Sequence, residues 1–111
     1  MKEENIRVLV IDPTSDGPVE KTIPNTLEAL QELVGGYIEV VRTDFRTALI
    51  VDENGKIKGK PLCLTLLNGR GFEHLVGTVV AVGIDGEEFC SLDEEQIRNV
   101  ATEYLLGGVM V

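Results

Sequence analysis

The chain has 111 residues, of which 43% are apolar and 26% charged, and it carries a formal net charge of −9. A chain of this length fits one domain with a real core, and its composition differs from that of a disordered protein. The acidic balance argues against direct nucleic-acid binding, which needs a basic surface to neutralise phosphates. We therefore expect a single domain over residues 1–111 that does not bind nucleic acid directly.

The apolar segments are short, and the sequence has few of the histidine and cysteine residues that bind metals. The longest apolar runs, such as residues 48–51 and 78–82, fall far short of the roughly 20 residues that a membrane-spanning helix needs. The first residues, MKEEN, lack the basic start and apolar stretch of a secretory signal, so we expect a cytoplasmic protein without membrane contact. Cys63 and Cys90 are far apart and His74 is the only histidine, so we predict free thiols and neither metal nor cofactor.

The first elements are predicted to be two strands. Residues 6–11 (IRVLVI) are almost continuously apolar and β-branched, as in a strand that is covered on both faces. Residues 14–18 (TSDGP) have turn chemistry, and residues 19–23 alternate apolar and polar positions. This order predicts a hairpin whose second strand is more exposed.

An amphipathic helix should follow Pro24. Asn25 with Glu28 three residues later resembles a capping box, and Thr26 is an alternative cap. The apolar residues that recur at helical spacing are Leu27, Leu30, Leu33 and Val34.

Two glycines come directly after this helix. Gly35 suits the left-handed position that ends a helix, and Gly36 eases the exit into a strand over residues 37–42. The alternative is that the exposed backbone N–H groups of the two glycines contact a ligand.

The middle of the chain contains an Asn-Gly turn signal. Asn54-Gly55 follows an apolar run, and this dipeptide supplies the positive φ angles that a tight hairpin needs. Its second arm would carry Lys56, Lys58 and Lys60 on one face. The periodicity is weak over residues 61–75, which we predict to be irregular, either a short helix or a loop.

The C-terminal third predicts a strand over residues 78–83, a turn at Gly86 and a second strand over residues 87–91, which together form a final hairpin. Ser91 or Asp93 would then cap a second helix that ends at Gly107-Gly108. The whole pattern predicts an α+β domain, with an antiparallel or mixed sheet of about five to six strands and two helices packed on one face.

Charge is unevenly distributed along the sequence. Six of the ten Lys and Arg residues lie between positions 42 and 70, whereas six carboxylates lie between positions 85 and 95. Two interpretations remain open: two solvated faces, or a basic rim beside an acidic back.

A few residues suggest binding or catalysis. The sequence NGRG, from Asn68 to Gly71, offers backbone donors and the forked cation of Arg70, although a plain turn would use the same residues. Tyr37 and Phe72 could stack on a base or belong to the core. Cys63 with His74 is a possible nucleophile and base, with no motif behind the pair.

Four segments resemble one protein family: "TLEALQELVGGYIEVV", "VDENGKIKGKPLCLTLLN", "LVGTVVAVG" and "FCSLDEEQI". The resemblance is to domain of unknown function 3846, a family of small proteins of phages, prophages and conjugative elements, and it covers nearly the whole chain. The positions that carry it are Val34 to Glu39, Asn54-Gly55, Pro61 with Asn68, and Gly77-Thr78.

The resemblance brings no assigned activity, but a mobile-element setting implies conflict with a host and a location in the host bacterial cytoplasm. Our first hypothesis is a non-enzymatic counter-defence protein that sequesters a small anionic, nucleotide-like signal. The residues predicted to bind this ligand are Gly35, Gly36, Tyr37, Arg46, Lys56, Lys58, Asn68 and Arg70.

Two other hypotheses remain. An acidic inhibitor would bind a host defence protein by mimicking the charge of nucleic acid, and a hydrolase would use Cys63 or His74. The apolar C-terminal residues GGVMV could form a homodimer interface or pack as an edge strand.

Overall fold

The computed structural model describes residues 3–15, 17–43, 46–68, 71–105 and 109–110. The N-terminal half contains β1 (Asn5–Ile11), β2 (Val19–Pro24), α1 (Leu27–Val34), β3 (Ile38–Arg42) and β4 (Thr47–Asp52). The C-terminal half contains β5 (Leu62–Asn68), β6 (Gly71–Val76), β7 (Val79–Asp85), β8 (Glu88–Cys90), α2 (Glu94–Leu105) and β9 (Val109–Met110). Neither helix in these ranges is long and apolar enough to span a membrane.

The strands form two sheets. The main sheet has six strands in the order β2-β1-β7-β4-β3, with β8 also paired to β7, and all its pairings are antiparallel. The small sheet has the order β6-β5-β9, in which β9 is parallel to β5. The strand number of the main sheet agrees with the prediction, and the C-terminal residues contribute an edge strand to the small sheet.

The main sheet is the middle layer of the domain. On one face, Leu30 and Val34 of α1 pack against alternate residues of β1, β4 and β7. On the other face, the small sheet and α2 cover the remaining residues of the same strands. The predicted α+β class is confirmed, but the prediction that both helices share one face is wrong. Because β1, β4 and β7 are apolar on both sides, each face of the sheet needs a cover.

The segment over residues 61–75 differs from its prediction as an irregular stretch. It forms the β5–β6 hairpin, in which Asn68 pairs with Gly71 across the turn. Leu64, Leu66 and Leu75 are buried against the main sheet, whereas His74 is exposed. The strand period of two is present here, but the many adjacent leucines obscure it in the sequence.

The predicted Asn54-Gly55 hairpin is also wrong. Residues 53–59 form a turn in which the Lys58 N–H donates to the Asn54 carbonyl at 3.0 Å. The Asp52 carboxylate accepts the N–H of Asn54 at 2.9 Å, and this side-chain cap winds the chain into a helical turn. The left-handed glycine of the segment is Gly59, with φ of 73°.

Side-chain caps begin both helices. Thr26, the alternative cap of α1, accepts the Ala29 N–H at 3.1 Å through its hydroxyl oxygen. Asn25 is buried instead, and its Nδ2 donates to the carbonyls of Glu3 and Phe89. Before α2, Asp93 and Gln96 each accept the backbone N–H of the other, which makes a reciprocal capping box.

The cap at Thr26 can be tested by mutation. Thr26→Ala should lower the free energy of unfolding by about 1 kcal/mol, because one N–H at the start of α1 loses its acceptor. Thr26→Ser should retain most of the stability, since it keeps the hydroxyl. Urea unfolding followed by circular dichroism measures both, and equal losses in the two variants would contradict the capping role.

Candidate functional site

The candidate site lies where the end of α1 meets the turn that follows β4. The side chain of Asp52, the last residue of β4, is only 1% exposed. Its Oδ2 atom accepts hydrogen bonds from the Nζ atoms of Lys58 and Lys60, each at 2.8 Å. We call these three residues the Asp52 cluster.

The two lysines also bind the C-terminal end of α1. The Nζ of Lys60 donates to the Val34 carbonyl at 2.7 Å, and the Nζ of Lys58 donates to the Gly35 carbonyl at 3.1 Å. The last turn of α1 contains no basic residue, so these two ammonium groups supply the positive charge that complements the helix end. The Asp52 cluster therefore joins α1 to the β4–β5 connection.

The paired glycines have different structural roles. Gly35 ends the helix with a φ of 82°, which is the left-handed conformation that its position predicted. A Cβ atom on Gly36 would lie 2.7 Å from Oδ1 of Asp52 and 2.8 Å from Nζ of Lys58. A side chain at position 36 would therefore force Asp52 or Lys58 to shift, because the backbone passes directly over the Asp52 cluster.

The electrostatics of Asp52 are dominated by its hydrogen bonds. Burial alone would raise the pKa of this carboxyl, but hydrogen bonds from Lys58, Lys60 and the Asn54 N–H outweigh burial and hold the pKa well below its usual range. Two ammonium groups share one carboxylate, so the cluster retains an excess of positive charge next to the helix end.

An open depression of about 420 Å³ lies beside the cluster. We call it the Tyr37 depression, and the residues that line it are Gln31, Gly36, Tyr37, Asn54 and Lys58. The Tyr37 side chain belongs to the most exposed apolar groups of the described residues, with 69% of the residue accessible. Lys58 is 42% exposed, and its ammonium has two acceptors among the described residues, which leaves its third N–H for a ligand.

Only part of the predicted ligand-binding set meets at this depression. Gly36, Tyr37 and Lys58 line it, and Gly35 borders it through the carbonyl that Lys58 binds. Gln31 and Asn54 line it without having been predicted. Their polar side chains carried no signal, because the turn that brings Asn54 toward α1 depends on a side-chain cap.

The other predicted residues lie elsewhere. Lys56 lines a separate cleft with Glu39, Glu53 and Glu73. Arg46 forms an ion pair with Asp93, next to the start of α2. Asn68 is the last residue of β5, and Arg70 lies outside the described residues.

Three of the cations that a basic rim would need are paired with carboxylates. Arg46 is paired with Asp93, and both Lys58 and Lys60 are paired with Asp52. Position along the chain placed these cations together, but the β4–β5 connection and the β3–β4 loop carry them to different parts of the molecule. Arg42 and Lys56 form no ion pair within the described residues, but neither of them lines the Tyr37 depression.

The structure does not join Cys63 and His74 as a nucleophile and base. The Cys63 thiol donates to the Ile11 carbonyl at 3.5 Å, and burial, with a smaller effect of the Asp12 charge, raises its pKa to about 11. His74 Nδ1 shares a hydrogen bond of 2.9 Å with the Thr65 hydroxyl. Both cysteines are free thiols, and the described residues contain no group of three side chains suited to a metal.

The fold and the site define a small α+β domain with an open depression next to a helix end. Residues 6–105 match the family described as Domain of unknown function (DUF3846), and the chain belongs to this family. The comparisons with curated proteins and with solved structures give no match. Function therefore has to be argued from the site itself.

The lowered pKa of Asp52 predicts a pH dependence of stability. Because the folded-state pKa lies below the unfolded value of about 3.9, the carboxylate stabilises the fold fully above about pH 5 and loses this effect as the pH falls. Asp52→Asn should cost about 3 kcal/mol at pH 7, since it leaves two lysines without their carboxylate. The difference from the wild type should shrink toward pH 3 in urea unfolding.

Glu53→Gln is the matched control, because Glu53 is an exposed carboxylate next to Asp52 in the sequence. It should leave both the stability at pH 7 and its pH dependence almost unchanged. A stability difference between Asp52→Asn and wild type that stays constant from pH 7 to pH 3 would contradict the ionic role of Asp52.

Proposed function

We propose that the protein is a non-enzymatic binding module that sequesters a small anionic, nucleotide-like ligand in the Tyr37 depression. The observation that carries this proposal is the exposed Tyr37 ring next to Lys58, whose ammonium retains one N–H for a further acceptor. The counter-defence role of a phage or mobile-element protein is part of the proposal, and it rests on the setting that the family resemblance implies.

The lining of the depression suits a ligand with a planar group and an anionic group. A base can stack on Tyr37, an interaction that contributes about 1–3 kcal/mol per base. The Lys58 ammonium can bind a phosphate as a point charge, and the side-chain amides of Gln31 and Asn54 can both donate and accept. The volume of about 420 Å³ falls within the range of small-molecule sites.

The depression is also partly organised before a ligand arrives. Asp52 and the Gly35 carbonyl fix the position of the Lys58 ammonium, so less side-chain entropy is lost when it binds a phosphate. The described residues that line the depression include neither a carboxylate nor a thiol nor a histidine. This lining supports binding without chemistry.

Ligand binding should appear as a thermal shift. A ligand that binds only the folded state raises stability by about 2.7 kcal/mol at a concentration of 100 times Kd. Differential scanning fluorimetry with linear and cyclic nucleotides should therefore show a raised Tm for the wild type. Tyr37→Ala should lose most of this shift, because it removes the stacking surface while leaving the Asp52 cluster intact.

Ile57→Ala is the control variant, since Ile57 is 87% exposed and lies outside the depression. Its response to nucleotides should equal that of the wild type. The corresponding nucleosides, which lack phosphate, should give smaller shifts because Lys58 has no anion to bind. A nucleotide shift that survives in Tyr37→Ala, or no shift with any nucleotide, would contradict the proposal.

A second candidate function is binding of a basic host protein. It is favoured by the exposed carboxylates of Asp85, Glu87 and Glu88 around the β7–β8 turn, which form no ion pair within the described residues. Asp93 and Glu94 are less available, because they pair with Arg46 and Arg7. The β7–β8 turn is therefore an acidic surface open to a partner.

Salt dependence tests this second function. Retention of a host protein on the immobilised domain should fall steeply between low salt and about 0.5 M salt, since exposed charges are screened over a Debye length. The triple variant Asp85→Asn, Glu87→Gln, Glu88→Gln should lose that retention, whereas Glu28→Gln together with Glu32→Gln on α1 should keep it. Equal retention by both variants would contradict a role for the turn.

A further inference from the structure

The outer side of β3 is an unoccupied strand edge. No strand in the described part of the chain pairs with it. Toward β4, the Tyr37 carbonyl accepts the Glu53 N–H at 2.8 Å, and the Thr43 N–H donates to the Thr47 carbonyl at 3.1 Å. In an antiparallel pair, every second residue directs its backbone N–H and carbonyl toward the neighbouring strand. The even-numbered residues of β3 lie between these two bonded positions and direct those groups away from β4. The residues of β3 whose backbone N–H and carbonyl groups face away from β4 are Ile38, Val40 and Arg42, and we call them its outward residues.

The opposite edge of the main sheet is protected in a way that β3 is not. The Asn25 N–H donates to the Glu4 carbonyl at 2.8 Å, and by the same alternation the outward residues of β2 are Glu20, Thr22 and Pro24. Proline has no N–H, and it blocks the addition of a strand at an edge. β3 contains no proline and presents an N–H and a carbonyl at each of its outward positions.

The surroundings of β3 are acidic on one face. Glu39 of β3 lines a cleft of about 70 Å³ together with Glu53 and Glu73. Lys56 and His74 also line this cleft, so three carboxylates face one lysine and one histidine. Asp52 reaches the same cleft but is already neutralised by its two lysines.

The other face of β3 is apolar at its centre. Val40 pairs with Ile50 on the α1 side of the sheet, and it remains 42% exposed. A strand added to β3 would therefore have one face next to Glu39 and one face next to Val40. The two faces favour cationic and apolar side chains respectively, and the residues of a strand alternate between its faces.

We propose that β3 binds an extended segment of a partner protein as an added strand, with Lys or Arg side chains toward Glu39 and apolar side chains toward Val40. Backbone hydrogen bonds to the outward residues would supply affinity, and the alternation of basic and apolar residues would supply specificity. A second copy of this chain is disfavoured as the occupant because two molecules with a net charge of −9 repel each other. This interaction surface shares no residue with the lining of the Tyr37 depression.

A synthetic peptide of alternating Val and Lys residues is the probe. In an NMR titration it should shift the amide signals of Ile38, Val40 and Arg42, and hydrogen exchange at these amides should slow. A peptide with the same residues in block order should bind at least about tenfold more weakly, because its charge is equal but its pattern does not fit the two faces.

Two variants of β3 have matched controls elsewhere. Val40→Pro removes an outward N–H and should weaken binding of the alternating peptide at least about tenfold. Thr22→Pro removes an outward N–H from β2 and should not change binding. Glu39→Lys should also weaken binding, whereas Glu28→Lys on α1, which changes net charge equally, should have a much smaller effect.

The outcomes separate the possibilities. Undiminished binding to Val40→Pro, or peptide-induced shifts confined to residues outside β3, would overturn the proposal. If Val40→Pro unfolds, two other measurements test the proposal. Hydrogen exchange at the β3 amides of the wild type should slow with peptide, and Glu39→Lys should bind the peptide more weakly than Glu28→Lys. Protection of the β3 amides that rises with protein concentration in the absence of peptide would show a contact between copies and would also overturn it. Because Tyr37→Ala should bind the peptide normally, failure here is distinguishable from failure of the nucleotide proposal.

Discussion

The buried Asp52 carboxylate connects the end of α1, the 53–59 turn and the Tyr37 depression. It takes hydrogen bonds from two lysines that also hold the end of α1, and it caps the turn that carries Lys58 and precedes Lys60. Removal of one partner from a buried ionic group is costly, because the other charges are then left without compensation. The position of α1, the shape of the 53–59 turn and the lining of the Tyr37 depression therefore depend on one side chain.

The second constraint is that the central strands are apolar on both faces. β4 and β7 are buried along almost their whole length, so the sheet cannot leave one side in water. The small sheet and α2 cover one face and α1 covers the other. This layering leaves the surface loops and the outer edge of β3 uncovered.

Local patterns in the sequence predicted the local structure well where a single residue type decides it. The β-branched run of β1 predicted a doubly covered strand, Gly35 predicted the helix end, and Thr26 was one of the two caps weighed for α1. The Asn54-Gly55 turn failed because the carboxylate of Asp52, two residues earlier, imposes another turn. The Asn-Gly dipeptide indicates which backbone conformations are allowed. The hydrogen bond from the Asn54 N–H to Asp52 determines which of them forms.

The candidate site was harder to predict for a related reason. The family match includes the Val-Gly-Gly-Tyr and Asn-Gly segments. The contact between these segments depends on the fold, because Lys58 and Lys60, which follow Asn-Gly, bind carbonyls at the end of α1. Spacing along the chain grouped Arg46 with these lysines, although it pairs with Asp93 near α2. The distribution of charge along a sequence does not predict ion pairs between residues that only the fold brings together.

The strand order has a consequence for how the chain folds. β1 lies between β2 and β7, so the centre of the main sheet joins strands that are far apart in the sequence. During synthesis, β1 and β4 leave the ribosome before β7. Until β7 pairs with them, their apolar faces and one edge of each strand lack a partner. Domains with such distant pairings fold slowly, and their incomplete forms tend to aggregate. The incomplete chain therefore exposes the apolar faces of β1 and β4 until β7 pairs with both strands.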